Sequence, residues 1–147
     1  MSRVGLDDDA RLALFAGERF CRDANVAILV PEHLLAGALL VLHHRGVAGL
    51  PGAGELESAL ALVVGTGADV PADEVSLGPA VQAVLASVAG AAAEAGRDTL
   101  SARDLAVAVI LAGEAVPMFY GAMGTTRDGL LAALGVASTG PGDELHV

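Results

Sequence analysis

The chain has 147 residues and a formal net charge of -10, and all eight of its basic residues are arginine. The absence of lysine removes the P-loop, whose lysine reaches the phosphates, and every Schiff-base mechanism. A surface with excess carboxylate also repels nucleic acid and anionic membranes. Hydrophobic residues make up 54% but aromatics only 3%. The core must therefore be built from Ala, Val and Leu, which suits closely packed helices better than a sheet.

A first helix is predicted from Asp7 to Asn25. Ala10, Ala13, Leu14, Phe20 and Cys21 follow an i, i+3, i+4 spacing and make one apolar stripe. Asp7, Asp8 and Asp9 put negative charge at its start and cap it. They also stand where a signal peptide would need an apolar run. Cys21, the single cysteine, allows no intrachain disulfide and reads as a buried structural thiol. Pro31 suits the first turn of a second helix, Glu32 to His44, which is apolar nearly all round and hence expected to be buried. Two shorter helices follow, the last from Glu55 to Val64. The longest apolar stretch, Leu34 to Leu42, is far below the ~18 residues of a membrane helix. A soluble, cytoplasmic protein is expected.

The pattern then recurs. A shift of 71 residues lays Leu6 on Leu77, Leu14 on Leu85, Leu34 on Leu105 and Leu60 on Leu131, with no gap between Leu6 and Leu134. Gly78 to Ala95 repeats the first stripe through Val81, Val84, Leu85 and Val88. Ala102 to Ala112 repeats the buried helix, opened by Ser101-Ala102-Arg103-Asp104, a capping-box analogue with Asp in place of Glu. A third helix follows Pro117, and a fourth runs from Thr126 to Leu134. The expected fold is all-α: two tandem four-helix repeats with pseudo-two-fold symmetry, in a single domain over residues 1–137. Repeat one spans 6–64, a linker 65–75 and repeat two 76–135; residues 138–147, rich in Gly and Ser, are expected to be a disordered tail.

Pro31-Glu32-His33-Leu34-Leu35-Ala36-Gly37-Ala38-Leu39-Leu40 resembles the Thr-Glu-His-Leu-Leu-x-Gly-Leu-Leu motif of the Clp N-terminal domain, the substrate-receiving module of ClpA, ClpB and ClpC chaperones. The resemblance covers Leu6 to Gly135. In the second repeat Ala102-Arg103-Asp104-Leu105 stands where the family again has Thr-Glu-His-Leu, which marks a divergent, stand-alone member. The resemblance implies a double helical repeat that binds proteins, peptides, adaptors or cyclic-peptide natural products. It also implies a role for Glu32, since the Glu of each motif helps ClpC-type members bind phosphoarginine. Arg103 has the wrong charge for that role.

Two readings of each candidate stand side by side. Glu32 is a ligand contact, or only a carboxylate favoured by the helix dipole. His33 is part of the same site, or a buried polar anchor. Met118, Phe119, Tyr120 and Met123 line an apolar groove between the repeats, or simply fill an Ala-rich core. His33 and His44 share a helix face about 16 Å apart at ~1.5 Å per residue, so no metal site is expected there. His146 is incidental. Gly52-Ala53-Gly54 and Gly65-Thr66-Gly67 follow no predicted strand and read as helix linkers rather than phosphate loops.

The leading expectation is a binding domain with no catalytic residue, metal or cofactor. Its ligand would be a protein or peptide segment, an adaptor or a hydrophobic cyclic peptide, and it would act on a Clp ATPase in trans in one form of this reading. The alternative is a small-molecule-binding protein or an enzyme of specialised metabolism, with Glu32, Asp104 or Glu114 transferring protons in a cavity between the repeats. A third reading is a dimerisation module with no ligand.

Overall fold

A computed structural model describes residues 4–65, 67 and 74–136. The expected tail at 138–147, with His146, lies outside them, as does much of the linker at 65–75. Seven helices appear among the described residues: α1 (Asp8–Asp23), α2 (Pro31–His44), α3 (Ala53–Val63), α4 (Pro79–Glu94), α5 (Ala102–Ala112), α6 (Pro117–Ala122) and α7 (Arg127–Ala133). The expected fold class stands, with two corrections. The first unit has three helices rather than four, because the chain between α2 and α3 turns through Gly46 and Gly49 at positive φ and then meets Pro51. Among the described residues there are also four two-residue strands that helical periodicity could not reveal: β1 (Gly5–Leu6), β2 (Ile28–Leu29), β3 (Ser76–Leu77) and β4 (Thr99–Leu100).

Each strand runs into the start of a helix, and each pairs across the halves of the chain. β1 lies parallel to β4 and β2 parallel to β3, in the registers Leu6 to Leu100 and Leu29 to Leu77. β1 and β3, β2 and β4, and α1 and α4 are each displaced by 71 residues. A two-fold exchange of the halves therefore maps one strand pair onto the other. The same displacement relates Asn25, at φ 57°, to Gly96, at φ 77°, the two left-handed residues that end the turns after α1 and α4.

The helix starts follow their sequence signals. The Asp7 carboxylate accepts the Ala10 N–H at 2.8 Å, and the Thr126 hydroxyl accepts the Gly129 N–H at 2.9 Å. Ser101 and Asp104 form a reciprocal box: Ser101 Oγ accepts the Asp104 N–H at 3.1 Å and Asp104 Oδ2 accepts the Ser101 N–H at 2.8 Å. α2 is the central helix, packed on α1, α3, α4 and α5. Its first nine residues are all buried, as are Leu105, Val109 and Ile110 of α5. α1 approaches α2 closely through Gly17 and Gly37. A Cβ at Gly37 would overlap the Ala13 carbonyl and the Gly17 nitrogen. In the second half, Val88 and Ala108 occupy the positions of these glycines.

Candidate functional site

Glu32 and His33 lie in the first turn of α2, behind Pro31. His33 is 1% exposed, and its Nδ1 accepts the Val30 N–H at 3.1 Å. The imidazole thus does for α2 what the Asp104 carboxylate does for α5, at the position displaced by 71 residues. Burial pushes the His33 pKa down to about 4, so the ring is neutral near pH 7, as an acceptor nitrogen requires. Glu32 is 6% exposed. Its Oε2 accepts the Val116 N–H at 2.9 Å, at the head of α6 in the other half of the chain. Arg103, which follows the α5 start as Glu32 follows the α2 start, donates instead from Nε to the Leu134 carbonyl at 2.6 Å.

The four large residues around α6 divide. Phe119, Tyr120 and Met123 are buried in the common core, where α6 packs on α3, while Met118 is 63% exposed. Burial raises the Tyr120 pKa above its usual value; the Arg127 guanidinium pulls it down and the Glu32 carboxylate pushes it up. The Glu32 carboxylate thus sits at the head of α6, near enough for Tyr120 to feel its charge, and Met118 is exposed. The proton-transfer candidates each have other surroundings. Burial tends to raise the Asp104 pKa, but hydrogen bonds from Arg97 and Ser101, with the Arg97 charge, hold it below the usual carboxylate range. Glu114 is exposed. Burial, helped by the Glu18 charge, drives the Cys21 thiol up to about 12, which keeps it protonated and unreactive near pH 7.

An open cleft lies elsewhere, in the first half. It has a volume of about 770 Å³ and runs between α1 and α3 over the C-terminal part of α2. Leu12, Phe15, Ala16 and Phe20 of α1 form one wall, Leu40 and Val41 of α2 the floor, and Ala53 and Glu57 of α3 the other wall. A recess of about 230 Å³ continues it past Phe20, Asp23 and Glu57 to Leu60 and Ala61. Phe15 is 71% exposed, an aromatic on the solvent side of an amphipathic helix. Sequence reading missed this site because it followed only the stripe that α1 buries. The available signal was Leu12 and Phe15, two large apolar residues outside that stripe. The matching face of the second half carries a smaller recess of about 290 Å³, lined by Val84, Ser87, Val88, Ala108, Leu111 and Ala112. Ala86 there takes the place of Phe15.

No protein-family model matches the chain, and no curated protein does. Among solved structures it is similar to the N-terminal domain of the caseinolytic protease associated chaperone ClpD from Arabidopsis thaliana. The TM-score is 0.69 over 88% of this chain and 94% of that chain, at 11% sequence identity. The fold is that of a Clp N-terminal domain. At this identity the likeness concerns the backbone and leaves the ligand to this chain's own side chains.

The two positions displaced by 71 residues carry opposite charge: Glu32 spans the two halves, whereas Arg103 closes onto the C-terminal end of α7. Among the described residues no group of three or more His, Cys, Asp or Glu could hold a metal ion, and no helix is long and apolar enough to cross a membrane.

Proposed function

We propose that this chain is a binding module that holds a segment of another protein in the first-half cleft and does not transform it. The observation that carries this reading is the exposed Phe15 beside an open apolar cleft. Aromatic residues are scarce in this chain, and a large apolar side chain left on a helix's outer face is favoured where a partner covers it. The Clp N-type fold supports the same class of function by analogy. The roles of the buried acids weigh against proton-transfer chemistry, since Glu32 is engaged with the Val116 amide and Asp104 with Arg97 and Ser101. Action on a Clp-type ATPase or chaperone client in trans belongs to this proposal. Glu32, His33, Phe119, Tyr120 and Met123 would then support the site from within, and Met118 would lie on a separate surface.

An array of 15-residue peptides of varied composition, probed with the labelled chain, tests this. A subset of apolar peptides should capture it, the Phe15→Ser chain should be captured at least tenfold less, and the peptides should return with unchanged mass. Capture of no peptide, or a change in peptide mass, overturns the reading.

A further inference from the structure

The cleft has a length, a chemistry and a charge direction, and together they define its occupant. α1 lies antiparallel to α2, since Asp9 near its start binds Arg45 at the end of α2, with Arg45 Nη2 donating to Oδ1 at 2.7 Å. The stretch from Leu12 to Asp23 is then about 16 Å long at ~1.5 Å per residue, which is three turns of helix. The Arg45 end of the cleft carries His44 and Arg45. The other end, where the cleft continues into the smaller recess, carries Asp23 and Glu57 beside Phe20, Leu60 and Ala61, with Arg19 also on the cleft wall. Arg19 approaches Asp23 at 3.9 Å, but Glu57 has no ion-pair partner among the described residues. Between the charged ends the walls are apolar apart from Arg19.

From this geometry we infer that the cleft docks a three-turn amphipathic helix of a partner protein, its apolar face on Phe15, Leu12 and Leu40, with a lysine or arginine at the Asp23–Glu57 end. This rests on the reading of the chain as a binding module and specifies its partner. A groove of this kind takes side chains at i, i+3 or i+4, and i+7, the positions that share one face of a helix. A basic residue at the acidic end completes the charge pattern, and the overall charge of -10 favours the approach of such a partner. A second copy of this chain would instead bring another net charge of -10 against the same carboxylates.

Selection from a phage-displayed library of random 16-residue peptides against the whole chain provides the test. The recovered sequences should share apolar residues at i, i+3 or i+4, and i+7, with Lys or Arg enriched at one end only. Synthetic copies should lose at least tenfold in affinity for the Phe15→Ser chain. The double variant Asp23→Asn/Glu57→Gln should lose severalfold for the basic peptides and nothing for copies in which the basic residue is replaced by Gln. Peptides that bind Phe15→Ser as well as the parent chain place the binding elsewhere and overturn the cleft while leaving the binding module intact. Failure to recover any peptide overturns both. Sedimentation that reveals a dimer dissociated by Phe15→Ser would assign the cleft to a second copy and overturn the helix proposal.

Discussion

The Glu32 carboxylate accepts the Val116 amide hydrogen across the two halves of the chain, at 2.9 Å and with the carboxylate almost wholly shielded from water. The pair joins the first turn of the central helix to the residue that opens α6. A motif residue that a family resemblance marks as a ligand contact therefore has an internal partner in this chain.

Removing the acceptor should cost more than changing its charge. Glu32→Ala leaves the Val116 N–H without its partner, a loss of roughly 1–3 kcal/mol. Glu32→Gln keeps an acceptor oxygen and should lose less than half of that. Urea denaturation of the three proteins at pH 7 measures both steps. Equal losses for Ala and Gln would mean that the charge, not the hydrogen bond, is what stabilises the junction.

His33 makes stability depend on pH in a defined window. Its pKa is about 4 when folded against 6.5 ordinarily, so between these values the unfolded chain binds the extra proton. Stability is full above pH 6.5 and falls as pH drops toward 4, by roughly 2 kcal/mol between pH 7.5 and pH 5. His33→Asn, with a short acceptor like that of Asp104 at the matching position, should flatten this part of the profile. Asp104 acts in a lower window: its depressed pKa contributes stability that disappears only as carboxylates protonate.

Two glycines should respond to alanine in opposite directions. Gly37→Ala drives a methyl into the Ala13 carbonyl and should destabilise by roughly 3 kcal/mol or more, far beyond the ~1 kcal/mol that helix propensity returns. Gly90, exposed in α4, has open space within 4 Å of the point where an alanine methyl would sit. Gly90→Ala should stabilise by about 0.5–1 kcal/mol. Thermal unfolding of both variants measures the difference.

Phe15→Ser should leave stability within about 0.5 kcal/mol of the parent, because the ring is mostly in water and fills no core space. A circular-dichroism melt checks this. A larger loss would show that the ring packs in the fold rather than standing ready for a partner.

Much of the local architecture is legible in the order of residues. Ala102–Ala112 has the expected ends, α1 begins after the Asp7 cap, and the Ser101–Asp104 box forms as its residue types require. These features depend on residues within one turn of each other, so periodicity and capping chemistry reach them. The helix expected between α2 and α3 failed for a local reason too, since Gly46, Gly49 and Pro51 outweigh the repeat pattern.

The remaining features depend on contacts across long stretches of chain. Two-residue strands carry no periodicity, and they exist because β1 finds β4 and β2 finds β3. The partner of Glu32 is 84 residues away, and nothing near Pro31 names it. Phe119 and Met118 are neighbours of similar size, yet one is wholly buried and the other exposed, because only the packing of α6 on α3 decides which face turns inward. The cleft is lined by residues of α1, α2 and α3 together, and α1 can lie close on α2 because Gly17 and Gly37 carry no Cβ. The helical class, the helix starts and the Ala-rich core are short-range consequences of residue chemistry and can be read along the chain. Tertiary structure alone decided which polar groups are consumed by the fold and which apolar ones are left for a partner, because burial belongs to the arrangement of helices rather than to any one of them.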